Sequence, residues 1–253
     1  MDLGLKGKKA IVTGGTRGIG RAIAETLAAE GCDVAICARN GAAVEETVKR
    51  LAGKGVKATG RAVDVSDTEA TEKWVRDAAA EIGGIDIVVA NVSALAAGAA
   101  EDAWRRMLEI DMLGTVRVVD AAKPFLDKSD AASIVAVSST AALESSQGIR
   151  AYSGMKAAVI AYMANVSNAW ASQGIRANTV SPGNVFFEGG VWDIRKKNDP
   201  DLFQVSLDNN PMGRMATPQE VANAVVFLAS PAASFITGVN VVVDGAMTRR
   251  IQF

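Results

Sequence analysis

Along this chain, short apolar runs alternate with longer stretches whose apolar residues return every three to four positions. The short runs have strand length: "KKAIVT" (8–13), "DVAICA" (33–38), "VKATGRAVD" (56–64), "IDIVVAN" (85–91), "ASIVAVS" (132–138), "IRANTVS" (175–181) and "GVNVVVD" (238–244). The run "IDIVVAN" lacks apolar–polar alternation, as a strand buried on both faces does. Between the runs, the helical period predicts helices over 18–30, 41–54, 67–82, 102–126, 150–172 and 218–228. Seven strands alternating with six helices predict an α/β fold with one doubly wound parallel sheet. No Pro/Ser-rich linker interrupts the pattern, so residues 1–253 are expected to form a single domain. Segment 182–210 is the exception. It is rich in glycine, asparagine and charge with scattered aromatics, and it is expected to be a mobile, partly helical insertion after a strand end, where loops carry function.

Charge narrows the function classes. Against 28 Asp and Glu stand 27 Lys and Arg, a net charge of −1, which makes no electrostatic case for nucleic acid or an anionic membrane. Aromatic residues, at 5%, are too few for a base-stacking surface. The chain has no histidine, which removes Ser-His-Asp and Cys-His catalysis and argues against a catalytic zinc site, so no metal is expected. Cys32 and Cys37 lie in or beside one strand, too far apart to bridge each other; they are expected as buried free thiols in a reduced compartment. The opening residues show no secretory pattern and no run reaches the roughly 18 apolar residues of a membrane span, so a cytoplasmic protein is expected.

The stretch "TGGTRGIG" (13–20) joins the first strand to the first helix. Glycine costs backbone order there, so something needs the bare backbone. Such a turn presents free N–H groups and the positive end of a helix dipole to a pyrophosphate. Gly14 permits the tight turn, Gly18 lets a cofactor approach, and Gly20 lets the helix pack closely; Gly15 is read as loop flexibility. At the end of the second strand stands Ala38-Arg39-Asn40, with no carboxylate to receive a ribose 2′-hydroxyl. Arg39 and Arg17 can both meet a 2′-phosphate, which favours NADP(H) over NAD(H).

Farther along, Tyr152 and Lys156 are four residues apart on a predicted helix, hence on one face. A tyrosine can move a proton to or from a substrate oxygen, with a nearby ammonium stabilising the phenolate. Together with "DV" (64–65), "SS" (138–139), "YSGMK" (152–156), "PG" (182–183) and "VDG" (243–245), the TGxxxGxG turn resembles the conventional short-chain dehydrogenase/reductase family over essentially the whole chain, with most likeness to its 3-oxoacyl-carrier-protein-reductase-like branch. The resemblance implies a Rossmann-like domain with a substrate loop around 182–210. It implies that Ser139, thirteen residues before Tyr152, binds the substrate oxygen, and that Lys156 also holds the nicotinamide ribose. Thr16 and Ile19 belong to the cofactor turn. Asp64 would accept from the adenine amino group and Val65 would flank the ring. Asn91 would stand beside the cofactor, Pro182 and Gly183 would turn the chain over the nicotinamide, and backbone near Val185 would meet its carboxamide.

Two departures accompany the resemblance. The family's relay asparagine is matched here by Asp111, expected to keep a water-holding role, to stabilise the Lys156 ammonium if ionised, and to alter the pH dependence of the reaction. The family's NNAG segment reads "ANVSA" (90–94). Phe186, Phe187, Trp192 and Leu95 are candidates for an apolar substrate pocket. The resemblance further implies a homodimer or homotetramer paired through helices 102–126 and 150–172, with the last strand and the tail "AMTRRIQF" (246–253) as a second interface. The expected activity is that of an NADP(H)-dependent carbonyl reductase or alcohol dehydrogenase acting on a ketone/secondary-alcohol pair. Its alternatives are an oxidative dehydrogenase of a hydrophobic steroid or aryl alcohol, and a nucleotide-binding scaffold on the same fold.

Overall fold

Residues 1–96, 98–145 and 149–249 are described by the computed structural model. The apolar runs become seven strands: β1 (Lys9–Thr13), β2 (Asp33–Ala38), β3 (Ala58–Ala62), β4 (Ile87–Ala90), β5 (Ser133–Val137), β6 (Arg176–Pro182) and β7 (Asn240–Val243). They form one parallel sheet in the order β3-β2-β1-β4-β5-β6-β7. Period-two alternation sends Ile11, Ala35, Val88 and Ile134 to one buried layer and Val12, Ile36, Val89 and Val135 to the other. Both faces therefore need helices. One layer is closed by α3 (Thr68–Ile82), α5 (Gly114–Leu126) and α6 (Ala151–Trp170), and the other by α1 (Gly18–Ala29), α2 (Gly41–Ala52) and α9 (Pro218–Ala229).

Helix starts follow local chemistry. The side chains of Asn40 and Asp67 accept from the third residue beyond them, and Thr217 with Glu220 forms a full capping box. Both cysteines are free and buried, and burial pushes each thiol up to about 12, leaving inert thiols. No helix among the described residues is long and apolar enough to cross a membrane.

One expectation changes and one is filled in. The helix expected over 102–126 is broken into α4 (Glu101–Met107), a π-helical stretch (Leu108–Leu113) and α5. A π turn inserts extra residues without disturbing apolar spacing enough to show in a sequence, and it marks functional sites often. The insertion at 182–210, expected to be partly helical, holds two helices, α7 (Val191–Asn198) and α8 (Pro200–Asp208), the second capped by Asp199. The tail expected at a second interface lies, from 250 onward, outside the described residues.

The strand order reverses between β1 and β4. The loops after those strands diverge to opposite sides and leave a crevice at the carboxyl end of the sheet.

Candidate functional site

The β1–α1 turn forms one wall of that crevice. Gly14 has φ +66, a left-handed conformation that other residues resist. Gly15 has no such φ; a Cβ there would come within 2.7 Å of Ile36 Cγ2, so its role is close approach to β2 rather than flexibility. A Cβ on Gly20 would overlap Gly14 O and Asn91 Nδ2. Asn91 braces this turn. Its Nδ2 donates to Thr13 O at 3.1 Å and Gly14 O at 3.4 Å, and its N–H donates to Thr13 Oγ1 at 2.9 Å. Expected beside the cofactor, Asn91 instead spends its amide donors on the loop that would cradle one. Like α4 and α6, α1 has no side-chain cap, so no side chain occupies the amides of its first turn. Half-buried Thr16 and Ile19 complete the turn. These features fit a dinucleotide's pyrophosphate.

Arg17 and Arg39 are both exposed but have different neighbours. Arg17 lines an open cleft of about 460 Å³ with Arg21, Glu25, Phe187 and Thr217. Arg39 acts at long range on Asp64, whose Oδ1 accepts from Ser66 N–H at 3.0 Å and Ser66 Oγ–H at 2.8 Å. The hydrogen bond from the Ser66 amide, more than the arginine, holds the Asp64 carboxyl below the usual carboxylate range. Val65 is buried against Gly114 of α5, where a Cβ would come within 2.8 Å of it, so its side chain faces the core.

The opposite wall holds the candidate proton-transfer groups. Lys156, on α6, is 3% exposed and Asp111, in the π-helical stretch, 1%. Lys156 Nζ lies 3.0 Å from Asp111 Oδ1 and donates to Val137 O at 3.0 Å. Oδ1 and the ammonium thus form a buried ion pair. The other oxygen, Oδ2, accepts from the Ala94 amide at 2.8 Å. The carboxylate therefore meets the lysine directly, and the expected water does not stand between them. Nζ lies 5.8 Å from the Tyr152 ring centroid, so the two side chains share one face of α6.

The adjacent serines differ. Ser138, 3% exposed, donates its hydroxyl to Lys156 O at 2.9 Å and staples β5 to α6. Ser139 is half-buried, and its Oγ accepts from Ala141 N–H at 3.2 Å at the start of a short 3₁₀ turn. Trp104 of α4 stands on Gly154, where a Cβ would lie 2.8 Å from its ring, and packs in one cluster with Tyr152, Met155, Ala94 and Ala96. The sequence reading missed Trp104; a glycine inside "YSGMK" was its available signal.

The loop after β6 splits the expected aromatic pocket. Neighbouring residues on extended chain point apart. Phe186 meets Phe203 edge-on at 6.0 Å, and Trp192 joins Phe203 at 6.4 Å. Phe187 turns the other way, and a Cβ on Gly18 would sit 2.5 Å from its Cζ. Phe187 thus packs onto Gly18, so the space in front of the glycine expected to admit a cofactor is filled here by a phenyl ring. Leu95 is 47% exposed with φ +53, on the loop after β4. Pro182 pairs with Val243 at the end of β6, and Gly183 N–H donates to Val243 O at 2.9 Å. Around Val185, the Phe186 amide and the Asn184 carbonyl are both taken up by Ala216.

A family model described as enoyl-(acyl carrier protein) reductase matches residues 14–248. The chain is similar to isoepoxydon dehydrogenase of Penicillium expansum, 38% identical over 100% of this chain and 99% of that protein. Among solved structures, it is similar to L-sorbose reductase from Gluconobacter frateurii complexed with NADPH and L-sorbose, with TM-score 0.91, 29% identity, and coverage of 99% of this chain and 100% of that one. It is also similar to an NAD+-bound xylitol dehydrogenase, with TM-score 0.89, 29% identity, and coverage of 96% and 99%.

Proposed function

Because the chain belongs to the short-chain dehydrogenase/reductase family of oxidoreductases, we propose that it interconverts a ketone and a secondary alcohol with NADP(H), Tyr152 moving the proton on oxygen. The observation that carries this reading is the buried Lys156 ammonium on the Tyr152 face of α6. An ammonium beside a phenol stabilises negative charge developing on its oxygen, an effect the Asp111 carboxylate paired with it offsets in part. A bound nicotinamide would supply or accept the hydride. Tyr152 gives its proton to the carbonyl oxygen during reduction and takes it back during oxidation. Ser139 hydrogen-bonds the same oxygen and fixes its distance from the phenol. The uncapped first turn of α1 holds the pyrophosphate, and Arg17 with Arg39 meets the 2′-phosphate. The same reading takes the chain as one domain working as a homodimer or homotetramer through α4–α5 and α6; sedimentation equilibrium checks the assembly.

The test is a titration of NADPH fluorescence followed by turnover of a ketone panel. Tyr152→Phe is expected to keep NADPH binding and to lose roughly 10²–10⁴-fold in turnover. Binding without any turnover, unchanged in Tyr152→Phe, would instead mark a nucleotide-binding scaffold.

A further inference from the structure

We propose that Asp111 is a positioning residue that ties segment 92–96 to the Lys156 ammonium, so that the two departures from the family pattern, Asp111 and "ANVSA", are one device. The inference rests on the function proposed above. Its core is a count of acceptors. Oδ1 faces the ammonium at 3.0 Å and Oδ2 receives the Ala94 amide at 2.8 Å. An ammonium and a backbone N–H are donors only. The two donors meet different oxygens of one buried side chain, so this arrangement uses two acceptor atoms. A carboxylate has them. An asparagine has one, and its NH₂ would be turned against either Lys156 or the Ala94 amide. With Asp111 1% exposed, that mismatch would lie away from bulk solvent.

The surroundings hold this arrangement in place. The π-helical stretch carries Asp111, and Thr115 Oγ1 donates to its carbonyl at 2.6 Å. On the other side, Leu95 N–H donates to Ser93 Oγ at 3.1 Å, and Leu95 adopts φ +53. A side chain held in the left-handed region needs neighbours that over-determine it, and the Asp111–Ala94 bond is one of them. Ala94 and Ala96 pack in the cluster that contains Tyr152 and Trp104. One carboxylate therefore sets the cation behind the phenol and the apolar wall beside it. Losing the carboxylate should disturb proton transfer and substrate fit together, where a purely structural residue would disturb neither selectively.

The experiment compares Asp111→Asn, Ala94→Pro, which removes the amide donor, and their combination, with wild-type turnover measured first. Asp111→Asn is expected to lower kcat and raise the ketone KM, each about tenfold, while amide hydrogen exchange in residues 91–96 speeds up by about tenfold. Ala94→Pro should raise KM more than it lowers kcat, and in the double variant KM should rise no further than in Asp111→Asn alone. Multiplying KM effects in the double variant, or unchanged exchange at 91–96 in Asp111→Asn, overturns the proposal. The exchange measurement needs no turnover and no folded proline variant. A wild-type protein inert on every ketone would thus defeat the functional reading while leaving this coupling to be decided on its own.

Discussion

On the β1–α1–β2 side of the crevice, contacts run through the backbone: Gly15 lies against Ile36, Gly20 against Gly14 O, and the Asn91 amide donates to the carbonyls of Thr13 and Gly14. On the α4–α6 side they run through side chains and charge: Lys156 faces Asp111, Asp111 accepts from Ala94, and the Trp104 ring rests on Gly154. The first kind of wall admits almost no alternative, because only the absence of a Cβ makes room. The second can be rebuilt when two residues change together, because an acceptor lost from one position can be returned at another. The β1–α1 turn keeps the TGxxxGxG spacing, whereas Asp111 and the altered segment it holds through Ala94 stand together on the other side.

The sharpest way to break this contrast is to remove the cation. Lys156→Ala leaves the Asp111 carboxylate buried without a counter-charge, and the expected cost is about 3–5 kcal/mol of folding stability, read from the midpoint of urea unfolding. Lys156→Ala combined with Asp111→Ala should be more stable than Lys156→Ala alone, since the stranded charge is gone. If Lys156→Ala unfolds at the wild-type midpoint, the α4–α6 wall is not built on charge and the contrast with the backbone wall fails.

A smaller effect is expected where charge has been added to the backbone wall. Arg17 and Arg39 sit at its rim, and no carboxylate stands at Ala38 to exclude a 2′-phosphate. A charge-assisted hydrogen bond to one arginine contributes about 1.5–3 kcal/mol, so alanine at both positions should weaken NADPH binding by at least roughly tenfold and leave NADH within a few-fold. Arg21 is the control: it shares the cleft with Arg17, pairs with Glu25 at 3.9 Å and has no assigned phosphate. Equal losses for both nucleotides would remove the basis for preferring NADP(H).

This division also explains what the sequence made legible. Strand runs, helix periods and the glycine spacing are written in residue type, so the sheet, its helices and the β1–α1 turn could be read directly. Tyr152 and Lys156 were legible because four-residue spacing on a helix has one geometric meaning. The π turn at 108–113 was not legible, since one extra residue per turn leaves no compositional trace. For Asp111 the residue type left two partners open, a water and the Lys156 ammonium, and only the 3.0 Å distance decides for direct contact. Phe186 and Phe187 were read as one pocket, but one packs on Phe203 and the other on Gly18. Gly15 looked spare until Ile36 filled the space in front of it.

The smallest expected effect concerns the two helix starts that border the Arg17 cleft. The first turn of α1 has no side-chain cap, whereas α9 is closed by the Thr217–Glu220 box, with Arg214 donating to Glu220 at 2.6 and 2.9 Å. These hydrogen bonds, from Arg214 first and then the Thr217 amide, pull the Glu220 carboxyl from 4.5 down to about 2. A carboxyl lowered in the folded state stabilises the fold above its unfolded pKa and loses that contribution as pH falls. The loss should therefore develop between pH 4.5 and about 2. The pair is exposed, so the effect is modest. Glu220→Gln should lower the thermal midpoint slightly at neutral pH and converge with wild type as pH approaches 2. A constant gap between the two proteins across that window would mean that Glu220 acts by packing rather than by charge. The α9 start would then lose its claim to be electrostatically satisfied where the α1 start is left open for a phosphate.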